Sequence, residues 1–548
     1  MEPDKAAPLG QVGLRSLPRK QVTFTLAGVM LAMFLSSLDQ NIVGTAMPKI
    51  VADLGGFAQY TWLTTSYLLT STVVLPITGR ITDMYGRKPF YLAGLGIFIA
   101  GSVFSGLSQT MGQIIFARGF QGIGAGVMMS NAFSVIGDLY PPAERGKIQG
   151  FVAAVIGVSS ILGPVVGGFI TDTLSWHWIF FINVPLGLAT LGLFVLFYPH
   201  FRPDARKHSI DWAGVAALTL CVAPLLLALS WGGVDYPWGS AQVIGMFILA
   251  AVALLAFVLI ELRSKEPLMP LSLFKDRIVS ISLAATFFSG LGMFGGIVFV
   301  PLFFQGVLGA SATSSGSFLT PMMLGLVVGS AASGQALTRG GGHYKVLGAI
   351  GLALIAAGMV LLSRMNVETS YARAVFNIVW VGIGLGITFP VYQIVVQNTV
   401  PYELLGTASS AVPFFRAIGG AVGLAIFGSV VNHRFASEFL AGLPESLKAA
   451  IPQQFLDSVT GNAQALLNPE AATRLKAVFD QMGDRGAALY QQTVLSLKVS
   501  LSTALSEVFL LCSAFIVASF VINWFIKEIP LRKAHSVDTS GRNGPPAA

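Results

Sequence analysis

The chain is poor in charge, because Asp, Glu, Lys and Arg together make up 11% of its 548 residues. Soluble globular proteins carry about 25% of these residues. Hydrophobic residues account for 54% of the chain, which is more apolar surface than so few charges can cover in water. These proportions exclude a soluble multidomain protein and favour a protein embedded in the lipid bilayer.

Cysteine is also scarce, and the two residues present, Cys221 and Cys512, lie in apolar stretches. They provide neither a disulfide framework nor zinc-ligand spacing. The sequence has no phosphate-binding loop of the form Gly-x-x-x-x-Gly-Lys-Ser/Thr, and its 6 histidines are dispersed. We therefore expect no metal site, no cofactor and no enzymatic activity. The net charge of +8 is interpreted as loop lysine and arginine, and not as nucleic-acid binding.

Apolar stretches long enough to cross a bilayer dominate the chain, since about 20 helical residues span the hydrocarbon core. Lipid admits only helices and closed barrels, so the predicted fold class is an all-α integral membrane protein. We count fourteen spans, at residues 22–47, 60–79, 90–108, 112–136, 148–171, 178–198, 213–231, 241–261, 278–306, 313–337, 345–363, 371–397, 406–431 and 499–526.

Lysine and arginine are divided unevenly between alternate loops. The side that holds both termini carries 22 of them, whereas the short loops opposite carry only Lys49, Arg364 and Arg373. Positively charged loops remain in the cytoplasm. Both termini are therefore predicted to be cytoplasmic, in a multi-pass protein of the cell (inner or plasma) membrane.

Two pairs of loops repeat at similar offsets along the chain. GRITDMYGRKPF begins at Gly79 and GQALTRGGGHYK at Gly334, an offset of 255, while PPAERG begins at Pro141 and PYELLG at Pro401, an offset of 260. The second copy of the first motif lacks the acid Asp83. This repetition predicts two six-helix halves with two helices inserted between them.

The predicted organisation assigns every part of the chain. The long external loop is expected to form short amphipathic helices over the outer surface, because one part of it has apolar residues at helical spacing. A docking site for an envelope partner is the alternative role for this loop. The segments are a tail at 1–21, a first half at 22–198, an inserted pair at 199–272, a second half at 273–526 with the external loop at 432–498, and a tail at 527–548.

Several motifs match those of one known family. They are LDQNIVGTAMP at 38–48, GRITDMYGRK at 79–88, RGFQGIGAG at 118–126, GVSSILGPVVGG at 157–168, WHWIFFINVP at 176–185 and FFRAIGGAVGLAIFG at 414–428.

Over roughly residues 22–530 the chain resembles the major facilitator superfamily, specifically its fourteen-helix drug:proton antiporter branch. The resemblance implies a multidrug efflux permease, and hence antibiotic resistance. It also implies that a proton gradient supplies the energy and that small lipophilic substrates and protons are the ligands.

Three charged residues inside the predicted spans are candidates for proton coupling. Asp39 lies deep in the first span, where an ionised carboxylate costs at least about 2.5 to 3.5 kcal/mol unless it has a partner. Such an acid can load and release a proton, or it can hold a helix kink through hydrogen bonds. The resemblance places Arg118 in the proton-handling motif, although an arginine there can also reach the membrane surface. Glu507 is either a second protonation site or a residue at the wet mouth of its helix.

The short turn after the second span combines glycine with charge, at Gly79, Asp83, Gly86, Arg87 and Lys88. Glycine permits a tight turn and close helix approach. The acid can accept hydrogen bonds from free amides at a helix N-terminus or pair with an arginine. We expect this turn to latch one half against the other in the outward-facing state. Charge that only sets membrane orientation is the alternative explanation.

The fifth span contains Gly157, Gly163, Pro164, Gly167 and Gly168. Proline kinks a helix, and glycines allow a partner helix to approach closely. The resemblance implies that this antiporter helix motif seals or hinges the contact between the halves. A role in packing alone fits the spacing equally well.

The substrate cavity is expected at the centre, where apolar and aromatic side chains accept flat lipophilic molecules. The favoured function is a proton-coupled exporter of lipophilic cations that works by alternating access. One alternative is a dedicated exporter of a lipid, siderophore or metabolite, and another is a non-transporting receptor or scaffold. The expected cavity residues are Met128, Met129, Asn131, Gln305, Gln397, Phe414 and Phe415.

Overall fold

The computed structural model describes most of the chain and consists of helices joined by short turns. Within the described residues there are fifteen α-helices, and β-strands are absent from this part of the chain. The described ranges are 18–55, 61–199, 209–310, 312–339, 343–443 and 484–532, together with positions 59, 476, 479 and 480.

The first half contains seven of these helices, of which α6 and α7 are separated by a single residue and form one span. The bounds are α1 (Arg19–Leu54), α2 (Trp62–Tyr85), α3 (Arg87–Gly106), α4 (Met111–Leu139), α5 (Pro142–Thr173), α6 (Trp178–Phe181) and α7 (Asn183–Phe197).

The inserted pair and the second half complete the described helices. Short 3-10 segments at Leu271–Lys275 and Tyr402–Leu404 precede two of them. The bounds are α8 (Trp212–Trp231), α9 (Ala241–Arg263), α10 (Arg277–Gly306), α11 (Ala312–Arg339), α12 (Tyr344–Ser363), α13 (Tyr371–Thr399), α14 (Leu405–Gly442) and α15 (Asp484–Trp524).

The predicted fold class is confirmed: the protein is an all-α integral membrane protein with fourteen spans, in two six-helix halves with an inserted pair. By length and composition, 11 spans in the described residues are apolar enough to cross a membrane by themselves. The other three, α2, α4 and α11, contain more polar residues and glycine. Much of α4 is nevertheless buried against neighbouring helices, so its polar groups face protein and not lipid.

The last two helices of the second half are longer than predicted. α14 has 38 residues and α15 has 41, which at about 1.5 Å per residue is roughly twice the ~30 Å hydrocarbon core. The predicted loop at 432–498 is therefore helical at both ends. A helix satisfies its own backbone in water as well as in lipid, so it need not end at the membrane surface. The amphipathic helices and partner site were expected in the loop 432–498, of which residues 444–483, apart from positions 476, 479 and 480, lie outside the described residues.

Both described chain ends lie at the same end of the molecule, which we call the terminal face. The Phe24 ring, near the start of α1, stacks on Phe197 at the end of α7. There the Ala143 amide, at the start of α5, donates a hydrogen bond to the Arg532 carbonyl at 3.4 Å. The Lys88 ammonium, at the start of α3, donates to the Tyr198 carbonyl at 2.9 Å. The turns that join α2 to α3 and α4 to α5 therefore lie at the terminal face.

The two halves pack against each other through α2 with α14 and through α5 with α11. One close approach joins Gly146 of α5 to Gly334 of α11, where a Cβ on either residue would overlap the carbonyl oxygen of the other. One turn farther along, the Ser330 hydroxyl donates to the Gln149 carbonyl at 3.1 Å. Because the backbones of α5 and α11 touch here, these two helices leave no gap between the halves at the terminal face.

The inserted pair packs across the line where α2 of the first half meets α14 of the second. α8 and α9 contact each other most extensively, and α8 also contacts both α2 and α14. The shared apolar cluster consists of Val73, Leu75, Ala217, Leu218, Val222, Phe257, Leu268, Met269 and Phe414.

We predict that Gly146→Ala destabilises the protein by about 1 to 3 kcal/mol, because the added methyl meets backbone and cannot be accommodated by a rotamer change. The measurement is the apparent melting temperature of the full chain in detergent. Gly168→Ala is the matched control, since a Cβ there would meet nothing within 4 Å. An equal melting temperature for both variants would contradict the assigned contact.

Candidate functional site

A buried carboxylate lies at the centre of the first half. Asp39 of α1 is fully buried, and the Arg118 Nη1 of α4 donates to its Oδ2 at 2.6 Å. Both side chains are almost inaccessible, at 0% and 2% exposure. Removing either partner of such a pair leaves an uncompensated charge, which costs about 3 to 5 kcal/mol. The structure therefore brings together the two residues that the sequence indicated first.

Two amide side chains complete the coordination of this carboxylate. Gln121 Nε2 and Asn183 Nδ2 donate to Asp39 Oδ1 at 2.9 Å and 2.6 Å. Asn183 Nδ2 also donates to Ser102 Oγ at 2.9 Å. Residues from α1, α3, α4 and α7 thus form one buried polar cluster, which we call the Asp39 cluster.

Arg118 is fixed by further contacts besides the ion pair. Its Nη1 donates to Gln121 Oε1 at 2.7 Å and its Nε donates to the Leu63 carbonyl at 3.4 Å. The guanidinium carbon lies 4.3 Å from the centroid of the Tyr67 ring. Gly122 makes this geometry possible, because it brings α4 against the backbone of α2 at Tyr67.

A small cavity of about 80 Å³ adjoins the Asp39 cluster, and Tyr67 separates the two. The Tyr67 hydroxyl lies 3.3 Å from Ser36 Oγ, another residue of the cavity wall. This volume has room for two or three water molecules, at about 30 Å³ each. The lining residues are Ser36, Gln40, Tyr67, Ser71, Leu75, Ala125, Gly126 and Met129.

A second polar site joins the halves at the terminal face. Asp83, near the end of α2, accepts hydrogen bonds from the backbone amides of Gly406 and Thr407 at 2.8 Å each, and from the Thr407 hydroxyl at 3.0 Å. These amides begin α14, so the carboxylate caps a helix of the other half and meets its positive dipole end. Gly79 allows the approach, because a Cβ there would overlap Ser410.

Arg87 holds the capping acid in place. Its Nη2 donates to Asp83 Oδ1 at 3.0 Å, and its Nε donates to Asp138 Oδ2 at 2.5 Å. Gly86, with φ of 89°, adopts the left-handed turn that separates α2 from α3. Lys88 lies apart from this network and anchors to carbonyls at the end of α7. Four residues of the predicted motif therefore build the contact, and the fifth fastens the turn to its own half.

Gln397 of α13 makes another contact between the halves. Its Oε1 accepts from Arg145 Nη1 at 3.0 Å, and its Nε2 donates to the Phe133 carbonyl at 3.1 Å. It was expected to line the substrate cavity. In this conformation the amide ties α13 to α4 and α5, because its N–H group meets a carbonyl of α4 and its oxygen meets an arginine of α5.

The glycines of the predicted antiporter helix motif face two different neighbours. Gly157 meets α11 of the other half, whereas Gly163 and Gly167 pack closely on α1, and Gly168 meets nothing within 4 Å. Pro164 lies inside α5. In this conformation the motif mainly packs α5 on the helix that carries Asp39, and only its first glycine contacts the other half.

Glu507 lies outside the Asp39 cluster. Its Oε2 accepts from Arg434 Nε at 2.9 Å, and both side chains are nearly half exposed. It precedes the end of α15 at Trp524 by 17 residues, about 26 Å along the axis. Because the terminal face is at that end, the pair lies near the opposite membrane boundary.

The remaining predicted cavity residues have diverse surroundings. Met129 lines the small cavity, Met128 belongs to the core of the first half, and Phe414 packs in the cluster with the inserted pair. Phe415 packs edge-to-face against Phe274 and Phe414. Asn131 is buried, and neither polar atom of its side chain has a hydrogen-bond partner among the described residues. Gln305 interacts with another residue and is not free.

Sequence reasoning missed two residues that complete these sites, Asn183 and Asp138. Asn183 interrupts an otherwise apolar run, and a polar amide inside a predicted span was the available signal. Asp138 stands near the predicted end of a span, where an acid is unremarkable. Its importance depends on Arg87, which is 51 residues away in the chain.

Comparison with known proteins agrees with this architecture. The model of the Major Facilitator Superfamily matches residues 29–424. The chain belongs to the major facilitator superfamily. It is therefore a multi-span membrane transporter and not an enzyme.

Two of the similar superfamily members come from one bacterium. Multidrug transporter protein MdtP of Bacillus subtilis (strain 168) is 38% identical over 526 residues, which cover 94% of this chain and 95% of that protein. Multidrug resistance protein 3 of the same organism is 40% identical over 415 residues, covering 76% and 80%. The crystal structure of the human organic anion transporter MFSD10 (TETRAN) is similar in fold. Its TM-score is 0.57 at 16% identity, over 91% of this chain and 100% of that one.

We predict that Asp83→Ala separates the halves at the terminal face, because the start of α14 loses a charged hydrogen-bond acceptor. Bonds of this kind contribute about 1.5 to 3 kcal/mol. Spin labels at Lys147→Cys and Glu403→Cys, two exposed positions on opposite halves, report the change as a longer inter-label distance. The labels require a background without the two native cysteines.

Asp172→Asn is the control for this experiment, since its ion pair with Lys49 is exposed and joins residues of one half. An unchanged distance distribution in the Asp83 variant would show that the cap does not hold the halves together.

Proposed function

We propose that this transporter is a proton-coupled antiporter that exports lipophilic cationic compounds by alternating access. The observation that carries the proposal is the Asp39 cluster, in which a fully buried carboxylate is paired with Arg118 beside a small cavity. Among the described side chains of the first half, this buried acid is the one best suited to exchange a proton within the membrane.

Protonation of Asp39 would change the interactions within the Asp39 cluster. The carboxylate of Asp39 accepts three hydrogen bonds, one from the Arg118 guanidinium and two from side-chain amides. Adding a proton removes the ion pair with Arg118 and leaves the guanidinium with its amide, carbonyl and aromatic contacts. Because α1 and α4 are held together by this pair, its loss can change how they pack. A cationic substrate near the carboxylate opposes protonation, and this competition is the basis of exchange.

The closed terminal face defines where each ligand enters. If the terminal face is cytoplasmic, as the lysine and arginine distribution indicates, the contacts at Asp83 and Gln397 close the cytoplasmic side. Protons then reach Asp39 from the opposite side, and substrate is taken up after these contacts open. The proton gradient supplies about 1.4 kcal/mol per pH unit and about 2.3 kcal/mol per 100 mV, so no bound cofactor is required.

The bacterial relatives support the drug-export part of the proposal, since their names describe multidrug transport and resistance. A dedicated exporter of one lipid, siderophore or metabolite remains the second candidate on the same fold. The proposal also includes two larger partners. One is the lipid bilayer that surrounds the spans, and the other is an envelope protein that docks on the segment 432–498 at the outer surface.

The first test measures proton movement in everted membrane vesicles. Adding a lipophilic cationic dye to vesicles with the wild-type protein should release protons, seen as dequenching of a pH-sensitive fluorophore. Asp39→Asn should abolish this signal, because an amide cannot exchange the proton. Asp172→Asn, which changes an exposed acid, should retain it.

Two results would contradict the proposal. Proton release by the Asp39→Asn variant would remove Asp39 as the coupling acid. Silence of the wild-type protein with every cationic dye would favour a dedicated cargo or a role as a non-transporting receptor or scaffold.

The second test concerns Glu507, the other acid expected to take part in coupling. We predict that Glu507→Gln retains dye-driven proton release, since an exposed ion pair such as that with Arg434 contributes only about 0 to 1 kcal/mol. The same vesicle assay applies. A loss of exchange comparable with that of Asp39→Asn would establish Glu507 as a second proton site.

A further inference from the structure

The chain that follows α15 crosses the terminal face in an extended segment, residues 525–532, which we call the strap. Its apolar side chains turn toward the protein. Ile526 and Leu531 belong to the large apolar cluster of the second half, and Ile529 packs against that cluster. The strap is therefore docked on the protein and does not extend into water.

The start of α12 holds the first part of the strap. The hydroxyl of Tyr344, a fully buried residue, donates to the Lys527 carbonyl at 2.9 Å and accepts from the Ile529 amide at 2.6 Å. The Glu528 Oε1 accepts from the Lys345 amide at 3.2 Å. Because the strap has no helix to satisfy its backbone, these contacts fix it on the second half.

The end of α13 holds the rest of the strap. Asn398 is fully buried, and its Oδ1 accepts from the Arg532 amide at 2.9 Å while its Nδ2 donates to the Pro530 carbonyl at 3.2 Å. The Arg532 guanidinium donates to the carbonyls of Thr399 and Val400 at 3.5 Å each. A cation there meets the carbonyls that a helix leaves free at its C-terminal end.

The strap also reaches the first half. The Arg532 carbonyl accepts a hydrogen bond at 3.4 Å from the amide of Ala143, the second residue of α5. Amides in the first turn of a helix lack a partner within that helix, so the strap supplies an acceptor for α5. Ala143 also packs against the apolar cluster that contains Leu531. The strap thus crosses from α12 and α13 to the other half.

The two attachments of the strap are unequal. Tyr344 and Asn398 make four hydrogen bonds to it from buried positions in the second half. The printed geometry of the link to α5 is a single longer bond between Ala143 and Arg532. Water can replace that acceptor at the terminal face, whereas a buried amide or phenol that loses its partner is left unsatisfied. The link to α5 is therefore the one that breaks when the halves separate.

We propose that the strap is a detachable closure of the terminal face, carried by the second half, which favours the closed state by binding the start of α5. Entry of a substrate from this face then requires that Ala143 leaves Arg532. The role of the strap depends neither on Asp39 nor on the compound that is transported, so it goes beyond the proposed export function.

The test frees the strap in the full chain. Asn398→Leu removes both amide bonds at similar side-chain volume, and Leu531→Ser removes a buried apolar contact. Spin labels are placed in pairs at three exposed positions, Lys147→Cys in the first half, Glu403→Cys in the second half and Lys527→Cys in the strap, without the two native cysteines.

In the double variant, the distance between the labels at 403 and 527 should lengthen as the strap detaches. The ratio of long to short distances between the labels at 147 and 403 should rise about two- to tenfold, as expected for loss of one hydrogen bond that forms only in the closed state. Tyr344→Phe combined with Leu531→Ser is the second variant, used where the first does not fold. It keeps the ring and removes the hydroxyl.

Asn377→Leu is the matched control, because this buried asparagine of α13 donates to the Leu361 carbonyl at 3.1 Å within the second half. It should leave both distance distributions as in wild type. An equal rise in this control would attribute the effect to general loss of packing and overturn the inference.

Two further results would overturn it. A detached strap with an unchanged distance between the labels at 147 and 403 would show that the strap does not hold the halves together. An unchanged distance between the labels at 403 and 527 in both variants would contradict the assigned attachment. These distances are measured without substrate or proton gradient, so failure of the export function, seen in the vesicle assay, is distinguishable.

Discussion

The ion pair between Asp39 and Arg118 is the interaction on which the organisation of the first half depends. In a medium of low dielectric constant an unpaired charge is costly, so each partner must retain compensating contacts. Those contacts come from α1, α3, α4 and α7, together with the carbonyl of Leu63 from α2. Separation of any of these helices would expose an unsatisfied polar group. The Asp39 cluster therefore ties these five helices of the first half together in this conformation.

The two halves share a helical framework but distribute their charges differently. In the first half, Asp83 extends to the amide groups that begin α14, whereas the repeated motif in the second half has Thr338 at the matching position. The first half contains a buried acid with its own cation, and the second contains the cation Arg416 stacked on an aromatic ring. The repeated fold thus contains different buried charges in its two halves, a paired acid in the first and an arginine stacked on a ring in the second.

The sequence predicts the helical class, the number of spans and the principal charges, because hydropathy and charge scarcity act locally along the chain. Asp39 and the glycine-rich turn at Gly79 were recognisable for this reason. The partners of these groups were not, since Asn183 lies 144 residues from Asp39 and no periodicity links them. The contacts of Gln397 with Arg145 and Phe133 were not foreseeable either, because an amide within a span has several possible partners and only packing selects among them. The helix ends of α14 and α15 were misplaced because hydropathy records where lipid ends and not where helical hydrogen bonding ends.

The position of α8 and α9 has a consequence for molecules dissolved in the bilayer. The halves meet along two lateral seams, one between α2 and α14 and the other between α5 and α11. The inserted pair shields the first seam from the acyl chains, while the second has no such cover among the described helices. The two lipid-facing sides of the protein therefore differ, although its halves share a repeated fold. A hydrophobic molecule diffusing in the plane of the membrane meets a covered seam on one side and an uncovered seam on the other.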